Sequence, residues 1–542
     1  MSNYYTRQLS HRSSTAHRTT PQAVDGVPSC ASPLLTRVLR DAWRFDGYVT
    51  SDSGALEDIY QRHHYTSTAQ QTVAVALRDG QTDVCSGSVY SGALMPAYNA
   101  GVVSREDIDA ALTRTFRLRF ELGLFDPPSS TPLWSVPLTA VDTAAARATN
   151  ALAAASSMVL LKAVAGALPL ARGRRVAVIG PHGNATAALV NDFLGQLCPS
   201  NTFDCVQSPA AAIAAANTGG TVVYEQGTGV SNNSTAGFAA AIAAAAAADV
   251  VVMGLGIDDT VEAEETHDRV SIDLPGAQHA LTAAIAALGK PTVAFVLSGG
   301  PLDLSREQAN PNISAIMYAG YPGRNGAAAI AATLFGDNDH CCGRLASTWY
   351  AADYVNEIKM SEMELDVGPG RGYRYFNGTP VFPFGYGLSL TNFALSLVAG
   401  PVDGASFVTE PAPTSAVTWV VQATNAGTTT GDTVVQAYFL PKTTPFQPKS
   451  RLLRQLFAYT RLHLAPGESG NVTITATSAT FRMADKETGA TVSTPGEFSL
   501  LFQDGSGGEL RVPATISGAE IVVEQFPGGS STENVASAPA PF

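Results

Sequence analysis

With 542 residues, 33 Lys and Arg against 46 Asp and Glu, and a formal net charge of −13, the chain has material for three or four domains and a surface that repels polyanions. Nucleic acid is therefore not an expected partner. The longest apolar run, Ala239 to Gly254, is mostly alanine and reads as helix followed by strand, so no membrane span is expected. Met1 to Thr20 is polar, with three Arg and two His, and lacks the apolar stretch of a signal peptide.

From Pro33 to Phe125 the pattern predicts helix, strand, helix and then a helix capped by Ser104, in which Ile108, Leu112, Phe116 and Phe120 recur at i, i+4 as one packing face. Within this stretch, Gly47 to Leu56 carries an apolar β-type run that ends in Asp52 among small residues. A carboxylate at the C-terminal tip of a strand suits a (β/α)8 barrel, whose strand ends carry the chemistry. The same residues also fit an Asx-type turn closing an ordinary strand. His63-His64, on a polar stretch, reads as exposed. Asp126 to Pro132 breaks regular structure and reads as a linker.

Beyond it, strands are predicted at Arg175 to Gly180, Thr221 to Glu225, Val250 to Gly254, Thr292 to Leu297 and Ile313 to Tyr318, with helices over 236–248, 278–288 and 325–335. Continuous Val/Ile runs between Ala-rich helices imply a mostly parallel sheet covered on both faces. After Phe393, short alternating strands (417–423, 433–439, 471–475 and 497–502) fit an immunoglobulin or fibronectin III type β-sandwich. The expected layout is α/β multidomain: an unrelated polar segment 1–20, part of a barrel 21–126, a linker and connecting helix 127–170, an α/β sandwich domain 171–393, a fibronectin III-like domain 394–523 and a disordered tail 524–542.

Six cysteines show no paired Cys-x-x-Cys spacing, and no metal site is implied. Cys198 and Cys205 are placed to close a small disulfide, whereas adjacent Cys341 and Cys342 are not expected to bridge. Asn-x-Ser/Thr sequons begin at Asn184, Asn232, Asn233, Asn312, Asn377 and Asn471, which fits a secreted glycoprotein.

The carboxylates that could carry chemistry lie on two elements. Glu262-Ala263-Glu264-Glu265-Thr266-His267-Asp268-Arg269 follows a predicted parallel strand, where open α/β sheets place ligands. Crowded acids raise one another's pKa, which suits a group that must stay protonated; such a run also fits a solvated acidic loop. Glycoside cleavage needs two carboxylates, one to protonate the leaving oxygen and one to attack or activate water, and Asp52 with this cluster could supply them. Gly-x-Ser-x-Gly, His-Glu-x-x-His and a Walker loop are absent.

These residues, with Gly26-Val27-Pro28-Ser29-Cys30, Leu122-Gly123-Leu124-Phe125-Asp126-Pro127, Ser298-Gly299-Gly300-Pro301-Leu302-Asp303 and Pro383-Phe384-Gly385-Tyr386-Gly387, resemble glycoside hydrolase family 3, closest to its β-xylosidase branch, from Val24 to about Gly518. The resemblance implies a retaining chemistry without cofactor, with Asp52 as nucleophile, Glu264 as general acid/base and Glu262 as second choice. Xylo-oligosaccharides are the implied substrate, with Ser53 and Glu262 near the sugar; arabinose and glucose remain alternatives, because Ser53-Gly54 departs from the family's Cys-Asp or Trp-Gly. Family habit implies an extracellular protein.

A barrel takes about 250 residues, and the family's nucleophile strand is the seventh of eight, yet Asp52 stands near the start. The family's Lys-His pair for the first sugar subsite is nowhere in the chain. The expectation is a form lacking most of the barrel, with little activity of its own, exposed sheet edges and an uncovered core face. The alternative is a non-catalytic protein whose sandwich and fibronectin-like domains bind carbohydrate or a partner.

Overall fold

The computed structural model describes residues 27–526 apart from 34, 192, 193, 196, 264–266, 361, 363 and 446–450, so the segment 1–20 and the tail beyond Phe526 lie outside the described residues. The chain divides into two units: one runs to Val141 and takes in Glu487–Ala490, the other comprises Asp142–Lys486 and Thr491–Val523.

In the first unit a π-helical segment α1 (Leu35–Ala42) is followed by α2 (Ala55–Gln61), α3 (Ala69–Arg78), α4 (Val89–Asn99) and α5 (Arg105–Glu121). Two extended segments, around Thr50 and Val84, pair in parallel and each feeds a helix, which is the β/α repeat expected of barrel units. Leu56, Ile59, Val73, Ala76 and Val89 form the core between them. α5 starts at a reciprocal Ser104–Asp107 capping box, as its sequence predicts. Of its packing face, Ile108 joins the core, but Leu112, Phe116 and Phe120 are 45%, 39% and 65% exposed among the described residues. Ion pairs tie the helix down along its length, Arg78–Asp107 at its start and Arg114–Asp83 and Arg117–Asp46 further on, while Phe125 folds back on Phe120 at 4.4 Å. Beyond Asp126 the chain is also less irregular than expected, forming short 3-10 turns at Pro128–Ser130, Pro132–Ser135 and Leu138–Ala140. Proline at the first position of the first two presets their φ.

The second unit opens with α6 (Ala144–Ser157) and a six-stranded sheet built from β1 (Val159–Ala163), β2 (Arg175–Ile179), β3 (Thr221–Glu225), β4 (Val250–Gly256), β5 (Thr292–Leu297) and β6 (Ile313–Tyr318). Their order is β1-β6-β5-β4-β2-β3, parallel except for β1. The helices are α7 (Pro209–Ala216), α8 (Phe238–Ala247), α9 (Gln278–Ala286), α10 (Ser305–Ala309) and α11 (Gly326–Phe335). Alternation places Val176, Val178, Val252 and Phe295 against α6, α7 and α11, and Ala177, Ile179, Val251 and Val296 against α8 and α9. The sheet is thus buried on both faces. Within 127–170, expected as linker and connecting helix, α6 is that helix and β1 is added to it: its first three residues are buried and it hydrogen-bonds β6 antiparallel, which five residues without alternation do not disclose.

From Phe393 a β-sandwich follows, with β7 (Phe393–Ala399), β8 (Ala405–Val408), β9 (Ala416–Asn425), β10 (Gly431–Thr443), β11 (Gln455–Leu464), β12 (Ser469–Thr477), β13 (Met483–Ala484), β14 (Thr491–Ser493), β15 (Gly496–Gln503) and β16 (Glu509–Ser517). A five-stranded sheet, β11-β10-β15-β16-β8, faces a three-stranded one, β12-β9-β7, over Trp419, Val421, Phe439, Phe498 and Phe502. Cys198 and Cys205 are disulfide-bonded as expected. Cys341 and Cys342 are also joined to each other, against expectation.

Candidate active-site residues

Asp52 stands where the extended segment around Thr50 turns into α2. The segment is held from below by Asp83, whose fully buried carboxylate accepts Val49 N at 2.9 Å, Arg40 Nη2 at 2.9 Å and Arg114 Nη2 at 2.5 Å. Burial and the neighbouring Arg114 pull the Arg40 guanidinium below its ordinary range, against the attraction of Asp83. Ser51 Oγ accepts Ser86 N at 2.9 Å, which ties the two parallel segments together at their tips. Asp52 Oδ1 then accepts Ser53 N at 2.7 Å, and Gly54 takes φ 73° before α2 begins. The carboxylate thus follows a segment bridged in parallel at Thr50 and Val84, and it bonds the amide of the next residue, one short of the amide an Asx turn would use. Ser53 is exposed, with its hydroxyl 3.2 Å from that of Ser86. His63, expected at the surface, is buried, and burial lowers its pKa.

The acidic loop lies at the C-terminal edge of the parallel sheet in the second unit. β2 and β4 are neighbours there, the chain leaving toward β3 on one side and β5 on the other, which is the switch point where α/β sheets open a crevice. After β4, Asp258 Oδ1 accepts the amide and hydroxyl of Thr260 at 3.0 and 2.6 Å, and Asp258 O accepts Glu262 N at 3.2 Å. Glu262 Oε2 is paired with Arg269 Nε at 3.1 Å, and Arg269 Nη1 donates to Pro301 O at 2.9 Å, fastening the loop to the turn after β5. Ala263 and His267 exchange two backbone hydrogen bonds. Glu264, with Glu265 and Thr266, lies outside the described residues.

Around this edge burial sets the electrostatics. It raises Asp268, partly offset by His267, and pushes the Tyr321 phenol up to about 12. It pushes His182, at the end of β2, down to about 4, so that ring is neutral; its Nε2 has no hydrogen-bond partner among the described residues. Arg269 and His182 were not singled out from sequence, although Arg269 closes the charge run and His182 follows a strand-ending Gly-Pro.

Residues 158–390 match the glycosyl hydrolase family 3 C-terminal domain, and 433–506 match a fibronectin type III-like domain. The chain belongs to glycoside hydrolase family 3. Among curated relatives, a probable exo-1,4-beta-xylosidase of Aspergillus fumigatus is 38% identical over 522 residues, covering 93% of this chain and 66% of the relative. The exo-1,4-beta-xylosidase of Emericella nidulans is 36% identical, again over 93% of this chain and 66% of its own length. Among solved structures, a family 3 exo-beta-xylosidase in complex with a xylobiose aziridine activity-based probe superposes with TM-score 0.85 at 30% identity, over 94% of this chain and 66% of the other. The chain thus spans about two thirds, 66%, of the length of these relatives.

Proposed function

We propose that this chain carries the catalytic carboxylates of a retaining glycosidase that removes terminal β-linked xylose from xylo-oligosaccharides. The observation that carries this reading is the match, over 93% of the chain, to relatives named exo-1,4-beta-xylosidases. In the proposed mechanism Asp52 attacks the anomeric carbon while Glu264 protonates the departing glycosidic oxygen. Glu264, now a carboxylate, then takes a proton from the water that releases the sugar from Asp52. Glu262 is committed to its ion pair with Arg269, which favours a positioning role for it and leaves proton transfer to Glu264. In this reading Ser53, exposed beside Asp52, meets the sugar and bears on the choice between xylose, arabinose and glucose. Secretion and glycosylation are supported by six sequons whose asparagines are all exposed and by the Cys198–Cys205 disulfide.

The chain contains no Lys-His pair for the first subsite, so turnover by the 542-residue polypeptide is expected to be low. The test is therefore covalent. A xylose-configured aziridine should label one peptide, the one containing Asp52, and label nothing in Asp52→Ala. Glu264→Ala should lose at least about 100-fold in aryl β-xyloside cleavage and regain part of it with azide, whereas Glu262→Ala should not be rescued. Labelling elsewhere, or xylobiose binding by calorimetry that survives Asp52→Ala and Glu264→Ala without any labelling, would replace the enzyme reading with a binding one.

A further inference from the structure

Independently of the glycosidase site, His340, Asp432 and His463 bring two imidazoles and a carboxylate together, with one donor atom from each lying within 4.8 Å of the others. Asp432 is the second residue of β10 and lies directly opposite His463 in the β10–β11 register, so that the two side chains share a face of the sheet. His340 comes from the loop after α11. That loop is held against the strands by Asp432 N donating to Cys341 O at 3.1 Å and Arg461 Nη2 donating to His340 O at 2.7 Å.

The donors converge on the carboxylate. His463 Nδ1 is 2.6 Å from Asp432 Oδ1, and His340 Nδ1 is 3.6 Å from Oδ2. The Asp432 side chain is only 3% exposed, while His340 and His463 are 36% and 44% exposed, so an ion could reach the cluster from solvent and keep water on its open side. Arg461 Nε donates to Oδ2 at 2.6 Å, which fixes the carboxylate plane and leaves Oδ1 facing His463. The rings lie 4.7 Å apart. Tetrahedral zinc spaces its ligands by about 3.3 Å, so modest side-chain rotations would bring all three donors into coordination.

We propose that His340, His463 and Asp432 form a structural site for a zinc-class divalent cation that clips the loop after α11 to the fibronectin-like sheet. Imidazole with a single carboxylate selects zinc, nickel or copper over magnesium and calcium, which need more oxygen ligands. The ion takes no part in glycoside cleavage, for which acid, nucleophile and water suffice. Its effect is on stability, because an ion that binds only the folded arrangement raises the unfolding midpoint.

The test uses the full, untagged, chelator-treated chain titrated with zinc chloride by calorimetry. One saturable site is expected, with a raised unfolding midpoint that magnesium does not reproduce. His340→Ala and His463→Ala should each weaken binding at least about tenfold while keeping the circular dichroism of the chelated parent. Should either variant misfold, the unmodified chain decides: zinc should protect His340 and His463, but not His64 or His267, from diethylpyrocarbonate, read by peptide mass. Absence of saturable binding, equal affinity in both folded variants, or unprotected His340 and His463 would overturn the site.

Discussion

Glu307→Gln should destabilise the second unit in a pH-dependent way, and the geometry fixes the sign. His279 is 11% exposed in its side chain and sits between two carboxylates, with Nδ1 2.7 Å from Glu307 Oε1 and Nε2 2.7 Å from Asp273 Oδ1. A neutral imidazole carries one N–H and can satisfy only one of them, whereas imidazolium donates to both. Burial opposes the charge, but the hydrogen bonds and charges of Glu307 and Asp273 outweigh it and raise the His279 pKa above 6.5. A cation whose folded pKa exceeds its unfolded one adds stability that is complete below about pH 6.5 and is lost as pH climbs through the folded value. Replacing Glu307, 3% exposed, with Gln exchanges a charge-assisted bond of about 1.5–3 kcal/mol for a neutral one of about 0.5–1.5, a loss of about 1–2 kcal/mol in acid. In alkali the parent ring is neutral as well, and the difference should fall below about 0.5 kcal/mol. Urea unfolding of parent and variant at about pH 5.5 and about pH 9 measures both limits, with buried Trp349 of the same core reporting. Equal destabilisation at the two pH values, or a larger one in alkali, would refute the imidazolium bridge.

Two further substitutions test the supports of the candidate carboxylates. Asp83→Ala strips Arg40, Arg114 and Val49 N of a fully buried partner and should destabilise the first unit by about 3–5 kcal/mol. Faster trypsin cleavage within 35–121 and slower aziridine labelling of Asp52 are the readouts; unchanged proteolysis would show that the buried arginines find other partners. At Gly180, φ is 115° and a Cβ would lie 2.4 Å from the carbonyl oxygen of Gly254, so Gly180→Ala should lower stability by about 2 kcal/mol or more. A thermal midpoint within about 1 °C of the parent would argue that β2 and β4 are less tightly apposed than they stand.

Much of the organisation follows from local pattern. Period-2 alternation discloses β9 and β12, and continuous Val/Ile runs disclose β2, β4, β5 and β6, because whether one or both faces of a sheet are buried is written into side-chain spacing. The Ser104 capping box, Asp52 at the tip of a β-segment and the acidic loop after β4 are legible for the same reason, since each is a short stretch with its own local chemistry. Chain order alone does not disclose β1, whose hydrogen bonds go to a strand some 150 residues later. Nor does it show that Glu262 is tied to Arg269 and Pro301, or that three residues as distant as 340, 432 and 463 meet around one carboxylate. The difference is one of range: the residue types and spacings of this chain determine its β/α, α/β and β-sandwich segments and point to its candidate carboxylates. Which charges neutralise one another, which helix faces are covered and which histidines share a carboxylate depend on strand register and loop packing, which only the tertiary fold decides.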